Sequence, residues 1–320
     1  MRWALGDRFG NMPLMIPTLN SMRTIDVDYL GRGQYIACCL LEGDAPVIID
    51  PGPSVSLGKL EAGLSGAGLT LDDLAGVLLT HIHLDHAGAV GTIVKRNPRI
   101  DVYVHERGAH HMIDPARLLS SAERLYGDQM DELWGDFLAV PADNVRAVSG
   151  GETLDFAGRR IEVAYTPGHA SHHVSFLDLS TGTAFVGDTA GIRIAGNPFV
   201  LPVTPPPDID LEIWETSLQK IEAWRPERLF VTHFGVAEGV EEHLRRFRRG
   251  LHEWARTVRE GLASDRTDQE CVEAFSASVM AELEERLPKE TIPLYQLGGA
   301  PDMSWHGLSR YWKNKSEAEE

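Results

Sequence analysis

The sequence predicts a mixed fold of the α+β class, and three observations carry that expectation. Short apolar stretches such as Gly76-Val77-Leu78-Leu79-Thr80 and Leu229-Phe230-Val231 have the length and residue types of buried strands. Val240, Leu244, Phe247, Leu251, Trp254, Val258 and Leu262 step by threes and fours, the period of an amphipathic helix. The turns after the strands repeatedly carry histidine or aspartate beside glycine, which places polar chemistry on a rigid frame.

The elements follow in order. Early strands lie between Asp26 and Ile49, interrupted by Gly31-Arg32-Gly33, and Leu69 to Ala75 leads into the Gly76–Thr80 strand. Ala87 to Val94 reads as the start of a helix, with Asp85 near its N-terminus, where a carboxylate meets unpaired amides. Arg99 to Val104 is the next strand, closed by His105-Glu106. Pro115 to Phe137 reads as a helical insertion, with Tyr126, Trp134 and Phe137 available to line a pocket. Thr153 to Phe156 and Arg160 to Tyr165 form a hairpin that opens a second sheet. Residues 196–208 hold five prolines, a stiff loop expected to border the site before the helix Asp210 to Ala223. Beyond Gly235 the chain turns helical, over Val240 to Leu262 and Gln269 to Leu287, and ends in an aromatic tail, Met303 to Trp312. Two units are expected: residues 1–235, with the ligand-bearing turns, and a helical extension over 236–320.

The densest chemistry lies in His81-Ile82-His83-Leu84-Asp85-His86, three imidazoles and a carboxylate suited to a borderline divalent cation. Partners stand at the mouths of later strands: His169 in Thr166-Pro167-Gly168-His169, Asp188 after Ala184-Phe185-Val186-Gly187, and His233 after Val231-Thr232. Singly, each of the three reads as an ordinary loop residue. With the first cluster they supply enough nitrogen and oxygen ligands for two cations sharing one carboxylate.

With these blocks in this order, the chain resembles the metallo-β-lactamase superfamily from roughly Asp26 to Gly235. The resemblance implies a four-layer αβ/βα sandwich, two sheets face to face with helices outside and the metal site at one edge. It implies that His81, His83 and His169 hold one metal, that Asp85, His86 and His233 hold a second, and that Asp188 bridges both. Val47-Ile48-Ile49-Asp50-Pro51-Gly52 resembles the family's first block, where Asp50 would orient a ligand rather than bind metal; a turn-forming Asp before Pro-Gly is the other reading. His173 matches a position that relatives hold as a buried structural histidine. The cofactors implied are two divalent metal ions, zinc first, with manganese or iron also accepted by such ligands.

The activity implied is that of a binuclear hydrolase attacking an ester-like bond (thioester, lactone or carboxylic ester) with a metal-bridging hydroxide. Asp85 would bind metal, orient the nucleophile and pass a proton to the leaving group. Thr166 to His173 resembles the glyoxalase II form of its block, although that branch's basic C-terminal glutathione-binding pattern is not found here. A phosphodiesterase is the alternative hydrolase, and a mononuclear iron sulfur dioxygenase the alternative from another class. A flavodiiron reductase would need a flavin domain for which the chain has no obvious phosphate loop. A non-catalytic scaffold is opposed by the complete ligand set.

Composition narrows the partners. At 320 residues, 43% hydrophobic and 24% charged, the chain can bury a sizeable core and a small second unit. Its 30 basic against 47 acidic residues, a net charge of −17, oppose the phosphate neutralisation that nucleic-acid binding requires. Arg245-Arg246-Phe247-Arg248-Arg249 is a local exception, read as the solvated face of its helix, with an anion-binding rim as the other reading. No apolar run approaches the roughly 18 residues needed to span a bilayer, and Met1 to Asp7 lacks a secretory pattern. A small-molecule substrate, a cytoplasmic location and no membrane or nucleic-acid partner are therefore expected, and the aromatic tail is compatible with a homodimer. Adjacent Cys38 and Cys39 should face opposite sides of a strand, and with Cys271 they read as reduced thiols. Of His105, His110 and His111, one is expected to face the pocket, and His172 to be exposed or beside the ligands; His243, His252 and His306 carry no message.

Overall fold

Strand registry places the ligand-bearing turns at one edge of two stacked sheets. The computed structural model describes residues 21–194 and 197–319; the N-terminal stretch Met1 to Asp7 and Gly196 lie outside the described residues. The first sheet runs in sequence order: β1 (Met22–Asp26), β2 (Ala37–Leu41), β3 (Val47–Ile49), β4 (Gly76–Leu78), β5 (Asp101–His105) and β6 (Val145–Val148). Its first three strands pair antiparallel and β3 through β6 pair parallel. Parallel neighbours need crossovers. These are α1 (Leu57–Ser65), then α2 (Leu84–Ala87) with α3 (Val90–Arg96), then α4 (Glu106–Ile113), α5 (Ala116–Tyr126) and α6 (Met130–Leu133).

The second sheet comprises β7 (Thr153–Phe156), β8 (Arg159–Tyr165), β9 (Val174–Asp178), β10 (Thr183–Phe185), β11 (Arg228–Val231) and β12 (Gly235–Ala237). It likewise keeps sequence order, and its one parallel pair, β10 with β11, is joined through α7 (Leu211–Ala223). Four helices follow: α8 (Val240–Leu262), α9 (Asp268–Arg286), α10 (Ile292–Gly299) and α11 (Pro301–Glu319).

Alternation along the strands builds two cores. Cys39, Ile49 and Leu78 face inward and meet Val163, Phe176 and Phe230 of the second sheet. Cys38, Ile48 and Val77 face outward to Leu60, Ile93 and other helix residues. The adjacent cysteines thus point to opposite faces, as period-2 geometry requires, and all three cysteines are free and buried. Sheets inside and helices outside give the αβ/βα order. The outer core runs on to Phe247 and Trp254 of α8, Phe275 of α9 and Trp305 of α11.

Two local expectations change, and one alternative reading falls away. The helix after the histidine motif is split at Gly88, where a Cβ would sit 2.5 Å from the Leu84 carbonyl and 3.0 Å from Pro53 Cα. The insertion is helical only to Leu133, and Phe137 packs in the core at 8% exposure instead of lining a pocket. The α8 arginines form no rim at the site: Arg245 and Arg246 pair with Glu242, while Arg248 bridges Glu215 and Glu222 of α7. Among the described residues no helix is long and apolar enough to cross a membrane.

His243 ties α8 to the loop that follows β10: its Nε2 donates to the Ala190 carbonyl at 2.9 Å, and burial lowers its pKa to about 4. The fold therefore favours neutral imidazole, so this contribution is complete above the unfolded pKa of about 6.5 and is lost as pH falls through about 4. Against a His243→Leu variant, urea unfolding should show the wild-type advantage shrinking by roughly 3 kcal/mol between pH 7 and pH 4. A pH-independent difference would contradict this.

Candidate metal centre

Each ligand-type residue stands just past the C-terminal end of a strand. Thr80 to His86 follows β4, His169 follows β8, Asp188 follows β10 and His233 follows β11. Glycines before two of them permit the turn. Gly168 has φ +138 and lies against Trp214, where a Cβ would approach backbone at 2.5 Å. Gly187, at φ +46, leaves room for the Thr80 hydroxyl. Such positive-φ turns suit glycine because any Cβ is strained there.

The seven predicted side chains converge. His81 Nε2 and His83 Nδ1 lie 2.9 Å apart, and His169 Nε2 is 3.1 Å from His83 Nδ1. In a second group, Asp85 Oδ2 lies 3.2 Å from His233 Nε2 and 3.7 Å from His86 Nε2. Asp188 stands between the groups. Its Oδ2 is 3.6 Å from His169 Nε2, and its Oδ1 is 3.4 Å from His86 Nε2 and 3.8 Å from His233 Nε2. Each triad, His81/His83/His169 and Asp85/His86/His233, can hold a metal ion, as can His81/His86/Asp188.

The residues fit a cation on two grounds. His86 Nε2 and Asp188 Oδ1 are buried with no hydrogen-bond partner, a costly state in an apolar interior unless a ligand completes it. The imidazoles are also pinned with one nitrogen turned inward. His169 Nδ1 donates to the Val203 carbonyl and His233 Nδ1 to the Tyr35 carbonyl, both at 2.9 Å, which leaves Nε2 of each free to coordinate.

Asp50 organises this arrangement without entering either triad. Its carboxylate accepts from the Thr80 amide (2.8 Å), the Thr80 hydroxyl (2.7 Å), the Thr232 hydroxyl (2.7 Å) and His86 Nδ1 (2.9 Å). The Thr80 hydroxyl, having given its proton to Asp50, accepts from His81 Nδ1 at 3.1 Å. His173 is fully buried beside His81, its Nδ1 3.1 Å from the hydroxyls of both Thr166 and Thr189, while its Nε2 has no partner.

Electrostatics divide the two triads. Burial, with help from neighbouring histidines, holds His81 well below the usual histidine range and His83 at about 4, and burial lowers His169 as well. Neutral imidazole is the form that binds metal. At His86, burial opposes charge, but Asp85, Asp188 and Asp50 outweigh it and raise the pKa well above normal. His233 is raised against burial by Asp188 and Asp85. The field that favours a proton on these two rings equally favours a metal cation.

The triads open into a cavity of about 580 Å³. His83, Asp85, His169 and Asp188 form its floor, with Tyr126 and Trp134 of the insertion and Pro205 to Pro207 of the proline-rich loop on its walls. His172 and His111 also line it, whereas His105 stacks on Tyr165, 4.2 Å between centroids, and His110 does not reach it. Sequence reading missed Thr80 and Thr232, which are legible only as residues next to ligands. It also missed Tyr29, and Leu297 to Ala300 with Met303 and Ser304 at the α10–α11 junction, which line the cavity from far along the chain.

Comparison with known proteins gives the family of the chain. Residues 32–233 match the profile described as metallo-beta-lactamase superfamily. A metallo-beta-lactamase fold-containing protein of Sulfurisphaera tokodaii is 32% identical over 204 residues, 62% of this chain and 73% of that protein. A hydroxyacylglutathione hydrolase of Synechococcus sp. is 29% identical over 117 residues, 37% of this chain and only 35% of that protein. Among solved structures, an archaeal superfamily protein from Sulfolobus tokodaii superposes with TM-score 0.63 at 23% identity, covering 90% of this chain and 98% of its own. A metallo-beta-lactamase family protein from Thermus thermophilus gives TM-score 0.66 at 20% identity, covering 93% and 94%; at these identities the likeness is one of fold. The chain belongs to the metallo-β-lactamase superfamily, a superfamily of metal-binding proteins that includes metallo-hydrolases.

Replacing Asp50 by Ala removes the acceptor of His86 and of two threonines at once. Chelator competition should show the affinity for metal falling about 10- to 100-fold. Unchanged affinity would mean that Asp50 serves the fold alone.

Proposed function

We propose that the protein is a binuclear metal-dependent hydrolase of ester-like bonds: a thioester, lactone or carboxylic ester. One observation carries the reading, the division of the Asp188 carboxylate between the two triads, Oδ2 toward His169 and Oδ1 toward His86 and His233. On this reading His81, His83 and His169 hold one cation, Asp85, His86 and His233 the other, and Asp188 serves both. Bound there, the two cations supply Lewis acidity and bring the pKa of a nearby water toward neutrality.

The remaining chemistry belongs to the protein. Asp85 is the more open of the two site carboxylates, its side chain 20% exposed against 4% for Asp188. Although burial opposes ionisation, His86 and His233 hold its carboxyl pKa at about 2, so it stays ionised, the form that can bind a cation, orient the attacking water and carry its proton to the leaving group. Tyr29 offers a second polar contact: its hydroxyl is buried without a hydrogen-bond partner, and its side chain lines the cavity. Burial, and then the Asp85 charge, push its pKa above the usual tyrosine value, so it stays protonated as a donor to developing negative charge. Apolar and aromatic walls exclude water from the acyl group. A relative named as a hydroxyacylglutathione hydrolase supports the ester-like class.

Elemental analysis of the purified protein, with parallel assays on a thioester, a lactone and a phosphodiester, tests the reading. About two equivalents of zinc or manganese with ester turnover are expected, falling to about one in His86→Ala. One equivalent of iron, with sulfite formed from a persulfide and no hydrolysis, would replace it with sulfur oxidation. Tyr29→Phe should lower kcat about 100-fold with metal content unchanged; an unaltered kcat would remove Tyr29 from the chemistry.

A further inference from the structure

The helices above the cavity present positive charge in a chain of net charge −17. Arg117 and Arg124 are seven residues apart on α5, two turns along one face, with Ser121 between them. Arg107 and His111 are four apart on α4, again on one face. All five side chains line the cavity whose floor holds His83, Asp85, His169 and Asp188. The three arginines are exposed, so they stand at its mouth.

None of the three is spent on a carboxylate. Among the described residues Arg107 lies 5.8 Å over the Tyr165 ring, Arg124 reaches the Ser120 hydroxyl at 3.5 Å, and Arg117 forms no ion pair. Several arginines elsewhere are spent in this way: Arg96, Arg146, Arg246 and Arg248 each meet a carboxylate within 2.9 Å. The acid that shares this part of the cavity, Asp208, is engaged by the Ser171 amide at 3.1 Å and the Ser171 hydroxyl at 2.5 Å. Nδ1 of His111 is buried without a partner on the same wall. Deeper than the arginines, the lining includes the half-buried Leu118, Tyr126 and Trp134.

A net negative protein repels anions at long range, so guanidinium groups left free at one cavity mouth make a local exception. Their planar donor forks match a carboxylate or phosphate. We propose that the substrate is an anionic ester or thioester, its carboxylate or phosphate lying remote from the scissile bond and held by Arg107, Arg117 and Arg124. The reacting carbonyl lies over His83 and Asp85, and the connecting carbon chain lies along the aromatic wall. The identity of the cleaved bond rests on the hydrolase reading; the anion site does not.

Calorimetric titration of the metal-loaded, full-length protein with uncleavable amide analogues tests this directly. The analogues form a matched set, identical except for a terminal carboxylate, a terminal phosphate or a neutral carboxamide cap. An anionic analogue should bind about 10-fold more tightly than the capped one, a preference that shrinks as ionic strength rises. The R117Q/R124Q double variant should abolish the preference while leaving capped-analogue affinity and metal content unchanged, and Arg124→Gln alone should reduce it. The carboxylate and phosphate arms tell which anion is preferred. Equal binding of charged and capped analogues, or a preference that survives in the double variant, overturns the inference. Assays of the corresponding thioesters separate the two readings. Selective binding without cleavage would leave the anion site standing and sink the hydrolase, while equal cleavage of charged and neutral thioesters would do the reverse.

Discussion

The arrangement of this molecule depends on one buried carboxylate. Asp50 leaves β3 at 1% exposure with φ +50 and gathers donors from three segments: Thr80 after β4, His86 in the crossover that leads on to β5, and Thr232 after β11. β3 and β4 lie in one sheet and β11 in the other, so this carboxylate ties both sheets together at the edge where the ligands collect. Each threonine immediately precedes a ligand-type histidine. Their hydroxyls therefore fix the chain direction from which His81 and His233 emerge. A buried anion is tolerable when its lone pairs are met by donors, and Asp50 accepts four such bonds.

From that anchor follows an unequal pair of triads. His81, His83 and His169 are held neutral, principally by burial, although Asp188 comes within 3.6 Å of His169. His86 and His233 sit in the field of Asp85 and Asp188, with Asp50 behind His86. One triad is a set of neutral nitrogen donors, and the other a mixed nitrogen and oxygen set with negative charge already in place. Hydrogen bonds to backbone carbonyls at Val203 and Tyr35 set the ring orientations, so loop geometry on both sides of the cavity supports the same centre. The cavity above continues the division, with polar side chains and ligands at its floor and apolar and aromatic walls above.

Much of this was legible in the sequence because the carriers are local. Six consecutive residues hold four of the seven ligand-type side chains, and the remaining three each follow an apolar strand. The α8 periodicity places its boundaries at Val240 and Leu262, as the structure does. What escaped depends on contacts distant in sequence. Pro53, which belongs to the turn after β3, comes so close to Gly88 that no side chain fits there, and Phe137 is buried by how the insertion folds back on the core. The lining of the cavity by the α10–α11 junction depends on how α10 and α11 return across the sandwich, which periodicity alone does not encode. The role of Thr80 and Thr232 was hidden because hydroxyl residues beside histidines are common in loops, and only the position of Asp50 gives them a purpose.

On the proposed reading, Asp188 joins two distinct cation positions in one centre. Anomalous diffraction from crystals of the metal-loaded protein, collected at the metal absorption edge, tests it most directly. Two peaks are expected, one enclosed by His81, His83 and His169 and one by Asp85, His86 and His233, with an Asp188 oxygen turned toward each. A single peak, or a second one placed away from Asp188, would contradict it.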